Sequence, residues 1–189
     1  MRVLYLAESD EFTRGKVTLM ARIFVSFVHE DEKLASAVQD LLQTELDLSE
    51  EVFLSSDKSQ VYAGDLWLQK IKEALSSAEI VILMLSKRSV ARPWVNFEAG
   101  AAWLADKTLI PVCYGNLSKS VLPHPYSGIQ ALNLLSEAYY LLKSVTHQLN
   151  LEPMSPAAVY RGTLFERGAG IEDSAYGRLA KAFSEFKDD

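Results

Sequence analysis

The sequence predicts an α/β chain built on a five-stranded, mainly parallel sheet with helices on both faces. Three observations predict it. Apolar runs rich in β-branched residues recur at 22–28, 52–54, 80–86 and 108–114, continuous rather than alternating, as strands covered on both faces are. Segments with apolar residues at helical spacing separate them. Strand and helix therefore alternate, and parallel pairing with right-handed crossovers follows.

Residues 1–20 read as a leader, with a short strand at Val3–Leu6 and a second plausible start at Met20-Ala21-Arg22. The first strong strand is 22–28. His29-Glu30-Asp31-Glu32 then opens a helix with Asp31 as its cap, and Leu34, Val38, Leu41, Leu42 and Leu46 follow at helical spacing. Residues 52–54 form a second strand. A polar loop, 55–65, has turn chemistry and ends at Gly64-Asp65. Asp65 can cap a helix whose stripe is Leu68, Ile71, Leu75 and Ala78. The most apolar run, 80–86, belongs at the sheet centre.

Pro93 suits the first turn of the next helix, since its missing N–H is an orphan donor there. Phe97, Ala101 and Leu104 are expected on its core side. Gly100 in mid-helix costs about 1 kcal/mol relative to alanine, which suggests a close approach to the backbone. In the fourth strand, 108–114, Pro111 argues for a place near the sheet edge. A long loop, 117–127, leads to a short fifth strand at 129–132 and a helix from Ser136 to about Leu149. This is a flavodoxin-like, doubly wound domain over 21–150. Residues 151–189 form an extension in which Tyr176, Leu179, Ala180 and Phe183 make one face of a final helix packing back on the domain.

A chain of 189 residues can bury one large core. A net charge of −6, with no cluster of Lys or Arg, argues against nucleic-acid binding through a basic face. The lone Cys113 excludes a disulfide framework and fits a reducing, cytoplasmic setting. His29, His124 and His147 are too scattered for a zinc site, so no metal is expected. No stretch reaches the roughly 18 apolar residues of a membrane span.

Ligands on such sheets sit at the carboxyl ends of the strands. Three polar clusters fall there: Ser26-Phe27, Ser55-Ser56-Asp57, and Ser86 leading to Trp94 and Glu98. Trp94 and Glu98, four apart, share one helix face. Glu98 is the candidate for chemistry, against the plainer reading of a solvated carboxylate near a helix start.

The run Phe24-Val25-Ser26-Phe27, the loop from Ser55-Ser56-Asp57 to Leu66-Trp67, and Trp94-Val95-Asn96-Phe97-Glu98 together resemble the Toll/interleukin-1 receptor (TIR) domain family. The third matches the W-x-x-x-E pattern of NAD-hydrolysing members, and Ala99-Gly100-Ala101-Ala102-Trp103 resembles the bacterial branch. The resemblance implies that Glu98 is required for cleaving the nicotinamide–ribose bond of NAD+, with NAD+ as substrate and no cofactor. The chemistry agrees independently. Nicotinamide leaves without needing a proton, so the reaction lacks only stabilisation of the positive charge growing on the ribose, which one carboxylate supplies. Glycosidases use two carboxylates because their leaving groups need protonation.

Ser26, Phe27, Ser56, Asp57, Trp67, Trp94 and Asn96 are the candidate substrate contacts. The aromatics could stack on nicotinamide or simply pack the core. With no Arg-rich or Gly-rich phosphate cradle, diphosphate binding would fall to helix N-termini or a second subunit. The resemblance further implies self-association through the loop after the second strand (the BB loop), a separate sensor or effector chain, and a role in anti-phage defence, with linear or cyclic ADP-ribose as product. Two other readings stand beside it: a non-catalytic adaptor acting through TIR–TIR contacts, and a nucleoside deoxyribosyltransferase-like enzyme.

Overall fold

Strands β1 (Ile23–Phe27), β2 (Val52–Ser56), β3 (Ile80–Leu85), β4 (Thr108–Cys113) and β5 (Leu132–Asn133) pair in the order β2-β1-β3-β4-β5, and every pair is parallel. The computed structural model describes residues 21–48, 51–56, 67–151 and 172–187. The expected leader strand, Asp57, the Asp65 cap and most of the loop after β2 lie outside them. Ser56 and Trp67 are described in their backbone alone.

The crossover helices are α1 (Glu32–Leu46), α2 (Trp67–Ser77), α3 (Pro93–Leu104) and α4 (Leu134–Gln148), followed by α5 (Ala175–Glu185). Strand alternation splits the core in two. Ile23, Val25, Phe27, Ile80, Ile82 and Met84 pack on the side of α1, α4 and α5. Phe24, Val81, Leu83 and Leu85 pack with Ile71 and Ala74 of α2 and with Val95, Ala99 and Ala102 of α3. β3 holds the central place expected of the most apolar run. Pro111 sits one strand in from the edge, just before the two-residue ladder with β5 begins at Val112, so its missing N–H interrupts no pairing there. In α5, Ala175, Tyr176, Leu179 and Ala180 are buried and Phe183 packs on the same cluster as α1. Arg178 donates to both carboxylate oxygens of Asp40 on α1, at 2.7 and 3.0 Å.

Several sequence expectations need correction. Phe97 and Leu104 are 58% and 79% exposed, and the buried face of α3 is Val95, Glu98, Ala99 and Ala102. The helix is apolar nearly all round, so its spacing gives no phase. Among the described residues nothing beyond its own helix backbone crowds Gly100 either: a Cβ there would meet no other atom within 4 Å. Leu68 is 58% exposed, and the stripe of α2 begins one turn later at Ile71. Asp31 precedes α1 but makes no cap bond; its side chain is turned inward.

The fifth strand is Leu132–Asn133 rather than 129–132, and α4 starts two residues early because Asn133 caps it, accepting from the Ser136 amide at 3.1 Å. The first turn of α4 is kinked at Glu137 (φ −130°, ψ 21°), whose carboxylate reaches back to accept from the Asn133 amide at 2.7 Å and from Lys119 Nζ at 2.6 Å. Burial alone would raise the Glu137 carboxyl, but Lys119 and the Asn133 amide outweigh it and hold it below its ordinary value of 4.5. A lowered acid stabilises the fold above its unfolded value and loses that contribution as pH falls through the native one. Glu137→Gln should therefore lower the thermal midpoint at pH 7, and the difference from wild type should shrink on acidification below about 4.5 in melts at stepped pH.

Candidate functional site

The parallel pairing of β1 with β2 puts Ser26 beside Ser55, and that of β1 with β3 puts Ser26 beside Leu83. Paired residues of neighbouring strands share a face. Counting in twos from Phe24 and Phe53, both of which pack on the side of α2 and α3, that face is the one α3 covers. Glu98, in the second turn of α3, is turned inward from the same side and is completely buried. Ser55 Oγ donates to Glu98 Oε1 at 2.5 Å. Ser26 Oγ is also fully buried and makes no hydrogen bond among the described residues. The ends of two strands and one helix thus bring a carboxylate and two hydroxyls together in an otherwise apolar layer.

The approach to α3 is braced from several sides. Ser89 Oγ donates to the Met84 carbonyl at 3.0 Å and accepts from the Ser86 amide at 2.7 Å, which shapes the turn after β3. Arg92 donates to Glu30 at 2.9 Å. Pro93 takes the first helical position, as its missing N–H favours.

The other candidates fall as follows. Trp94 lies one turn before Glu98, half-buried, its ring tilted against Phe97 with centroids 5.5 Å apart. Phe27 is brought elsewhere: one step along β1 from Ser26, it packs in the core on the α1 side of the sheet. Asn96 is also away from Glu98, about 200° round the helix at 100° per residue. Its side-chain nitrogen donates to the Arg92 and Val90 carbonyls, and its oxygen accepts from Tyr126 Oη at 2.6 Å, so it ties the helix start to the loop after β4. Ser56 occupies the register position opposite Phe27, and Trp67 begins α2.

Sequence reasoning missed two partnerships. Ser55 stood in a quoted cluster, but only strand register singles it out. The second lies on the opposite face. Asp31, its side chain fully buried, accepts from Tyr114 Oη at 2.5 Å and from Arg88 Nη2 at 2.9 Å. Burial pushes the Asp31 carboxyl up; Tyr114 and Arg88 pull it back without cancelling that. Burial, with Asp31 alongside, raises the Tyr114 phenol strongly. A cavity of about 390 Å³ opens beside this pair between the start of α1 and the end of α5. On its rim Lys33 of α1 lies 3.8 Å from the Glu185 carboxylate of α5, an ion pair that joins the two helices.

Among the described residues no group of three or more His, Cys, Asp or Glu side chains could hold a metal ion, and no helix is long and apolar enough to cross a membrane. Cys113 is buried and its thiol is pushed up to about 11 by that burial.

A family model described as the TIR domain matches residues 23–143, which spans the whole sheet. The chain belongs to the TIR domain family. Comparison with curated proteins finds no match. Among solved structures, the TIR domain is similar to a metazoan TIR-STING receptor from C. gigas in complex with 2',3'-cGAMP, at 19% identity and a TM-score of 0.49. That match covers 81% of this chain and 45% of the receptor chain, so this TIR domain corresponds to under half of the receptor's length.

Proposed function

We propose that this TIR domain is an NAD+ glycohydrolase in which Glu98 stabilises the ribose cation as nicotinamide departs. The observation that carries the reading is the placement of Glu98 at the carboxyl edge of the sheet, buried and held by the Ser55 hydroxyl. A carboxylate in a dry, fixed position acts on developing positive charge far more strongly than one in water. It can also accept hydrogen bonds from ribose hydroxyls. Ser26 adds a buried hydroxyl with no partner among the described residues, a state that costs about 1–3 kcal/mol and that a substrate oxygen would relieve.

Because Glu98 has no exposed surface, substrate reaches it only after a local opening of the site. Assembly with a second copy through the BB loop, or with a sensor or effector chain, is the step proposed to drive that opening. The product is linear or cyclic ADP-ribose, the setting is the cytoplasm, and the role is in anti-phage defence. The test is nicotinamide release from NAD+ by concentrated protein, with deoxynucleosides as competing substrates. Release from NAD+ that stops in Glu98→Ala supports the reading; base release from deoxynucleosides alone would move the chain to transferase chemistry.

A second reading, a scaffold acting through TIR–TIR contacts, is favoured by one observation. Phe97, Trp103 and Leu104 leave α3 with three large exposed apolar side chains. Such residues on a helix surface suit an interface. A Phe97→Ser/Leu104→Ser pair should leave the melting temperature within about 2 °C of wild type, since surface changes are worth roughly 0.5 kcal/mol or less each. Sedimentation at rising concentration should then show weaker self-association; unchanged association would remove α3 from the contact.

A further inference from the structure

We infer that Ser55 is a positioning residue for Glu98, fixing the direction of its carboxylate before substrate arrives. The inference rests on the reading of Glu98 as the group that meets the ribose. Three observations carry it. The first is the 2.5 Å bond from Ser55 Oγ to Glu98 Oε1, formed between residues 43 positions apart, both buried. The second is the packing around Glu98. It is fully enclosed, with Ala102 one turn on contributing only a methyl to that face and Trp94 one turn back half-buried. Such packing places the side chain, while polar contacts set the direction of its oxygens, and the Ser55 hydroxyl makes one.

The third is where the tether is anchored. Ser55 lies on a strand paired residue by residue with β1, from Ile23–Val52 to Phe27–Ser56, so its Oγ hangs by a single torsion on backbone held in register. A carboxylate offers about four acceptor sites, and one hydroxyl takes one of them. Ser55 can therefore hold Glu98 without using up its capacity to accept from the ribose. Groups that orient a reacting side chain in this way show their effect in turnover, because misdirection weakens the interaction made only in the transition state.

The test measures kcat and KM for nicotinamide release by wild type, Ser55→Ala, Ser55→Thr and Glu98→Gln, all at the same assembled concentration. Ser55→Ala should lower kcat about 10- to 100-fold with KM changed less than about threefold. Ser55→Thr, which keeps the hydroxyl, should recover most of the loss. Unchanged kcat in Ser55→Ala, with Glu98→Gln inactive, overturns the inference and leaves the reading of Glu98 standing. Wild type that releases no nicotinamide overturns both. Should Ser55→Ala melt too low to assay, the denaturation midpoints of Ser55→Ala, Glu98→Gln and the double variant decide. Non-additive effects support the tether, and additive ones overturn it.

Discussion

Glu98→Gln should lower nicotinamide release by about 10³-fold or more, equivalent to about 4 kcal/mol of lost transition-state stabilisation. The amide keeps the volume and the oxygen that accepts from Ser55 Oγ, so the melting temperature should stay within about 3 °C of wild type. On the proposed reading it removes the negative charge that faces the ribose as nicotinamide leaves. The change should appear in kcat, because the cation exists only near the transition state. Steady-state release and a thermal melt on the same preparation check it. Equal loss of folding would return Glu98 to a structural role, and full activity in the amide would end the enzymatic proposal.

The second large effect concerns stability. Asp31→Ala should lower stability by about 2–4 kcal/mol, because it strips the Arg88 guanidinium and the Tyr114 hydroxyl of a buried acceptor at once. For a domain of this size that is a fall of roughly 5–15 °C in melting temperature. Asp31→Asn should cost less, since the amide oxygen can still accept from Tyr114. The pH dependence has the opposite sign to that of Glu137. Asp31 is raised above 3.8, so between the unfolded and the native value the folded chain binds more protons at this carboxyl than the unfolded chain does. Its contribution is then present below that value and lost as pH rises through the native one. Melts of wild type and Asp31→Asn should diverge upward from about pH 4. Parallel curves would mean that Asp31 is not burdened by its burial.

How much of this was legible in the sequence follows from periodicity. The strands were legible because continuous runs such as Ile80–Leu85 have no polar face to show and so belong inside a sheet. The α5 face was legible because its apolar residues have polar neighbours to contrast with. On α3 that contrast fails: Phe97, Ala101 and Leu104 looked as suited to the core as Val95, Ala99 and Ala102, and only tertiary packing chose between them.

The candidate site was legible in outline for a different reason. Topology places strand ends on one edge, so Ser26, the Ser55 cluster and Glu98 had to lie near one another. The finer assignments depend on single-residue register. Ser26 faces α3 while Phe27, one step on, faces α1. Asp31 resembled a helix cap because its partners, Arg88 and Tyr114, stand 57 and 83 residues away. No local pattern encodes such a meeting.

The docking of α5 on α1 bears on how the chain is made. Arg178 and Asp40 are separated by 138 positions, and contacts that distant form late, since a long loop must close before they reward it. During synthesis the apolar flank of α1 that α5 finally covers stays uncovered until α5 itself has been made. Nascent copies crowded on one message are therefore most prone to stick to each other through α1, and a chaperone acting on this protein would find its grip there.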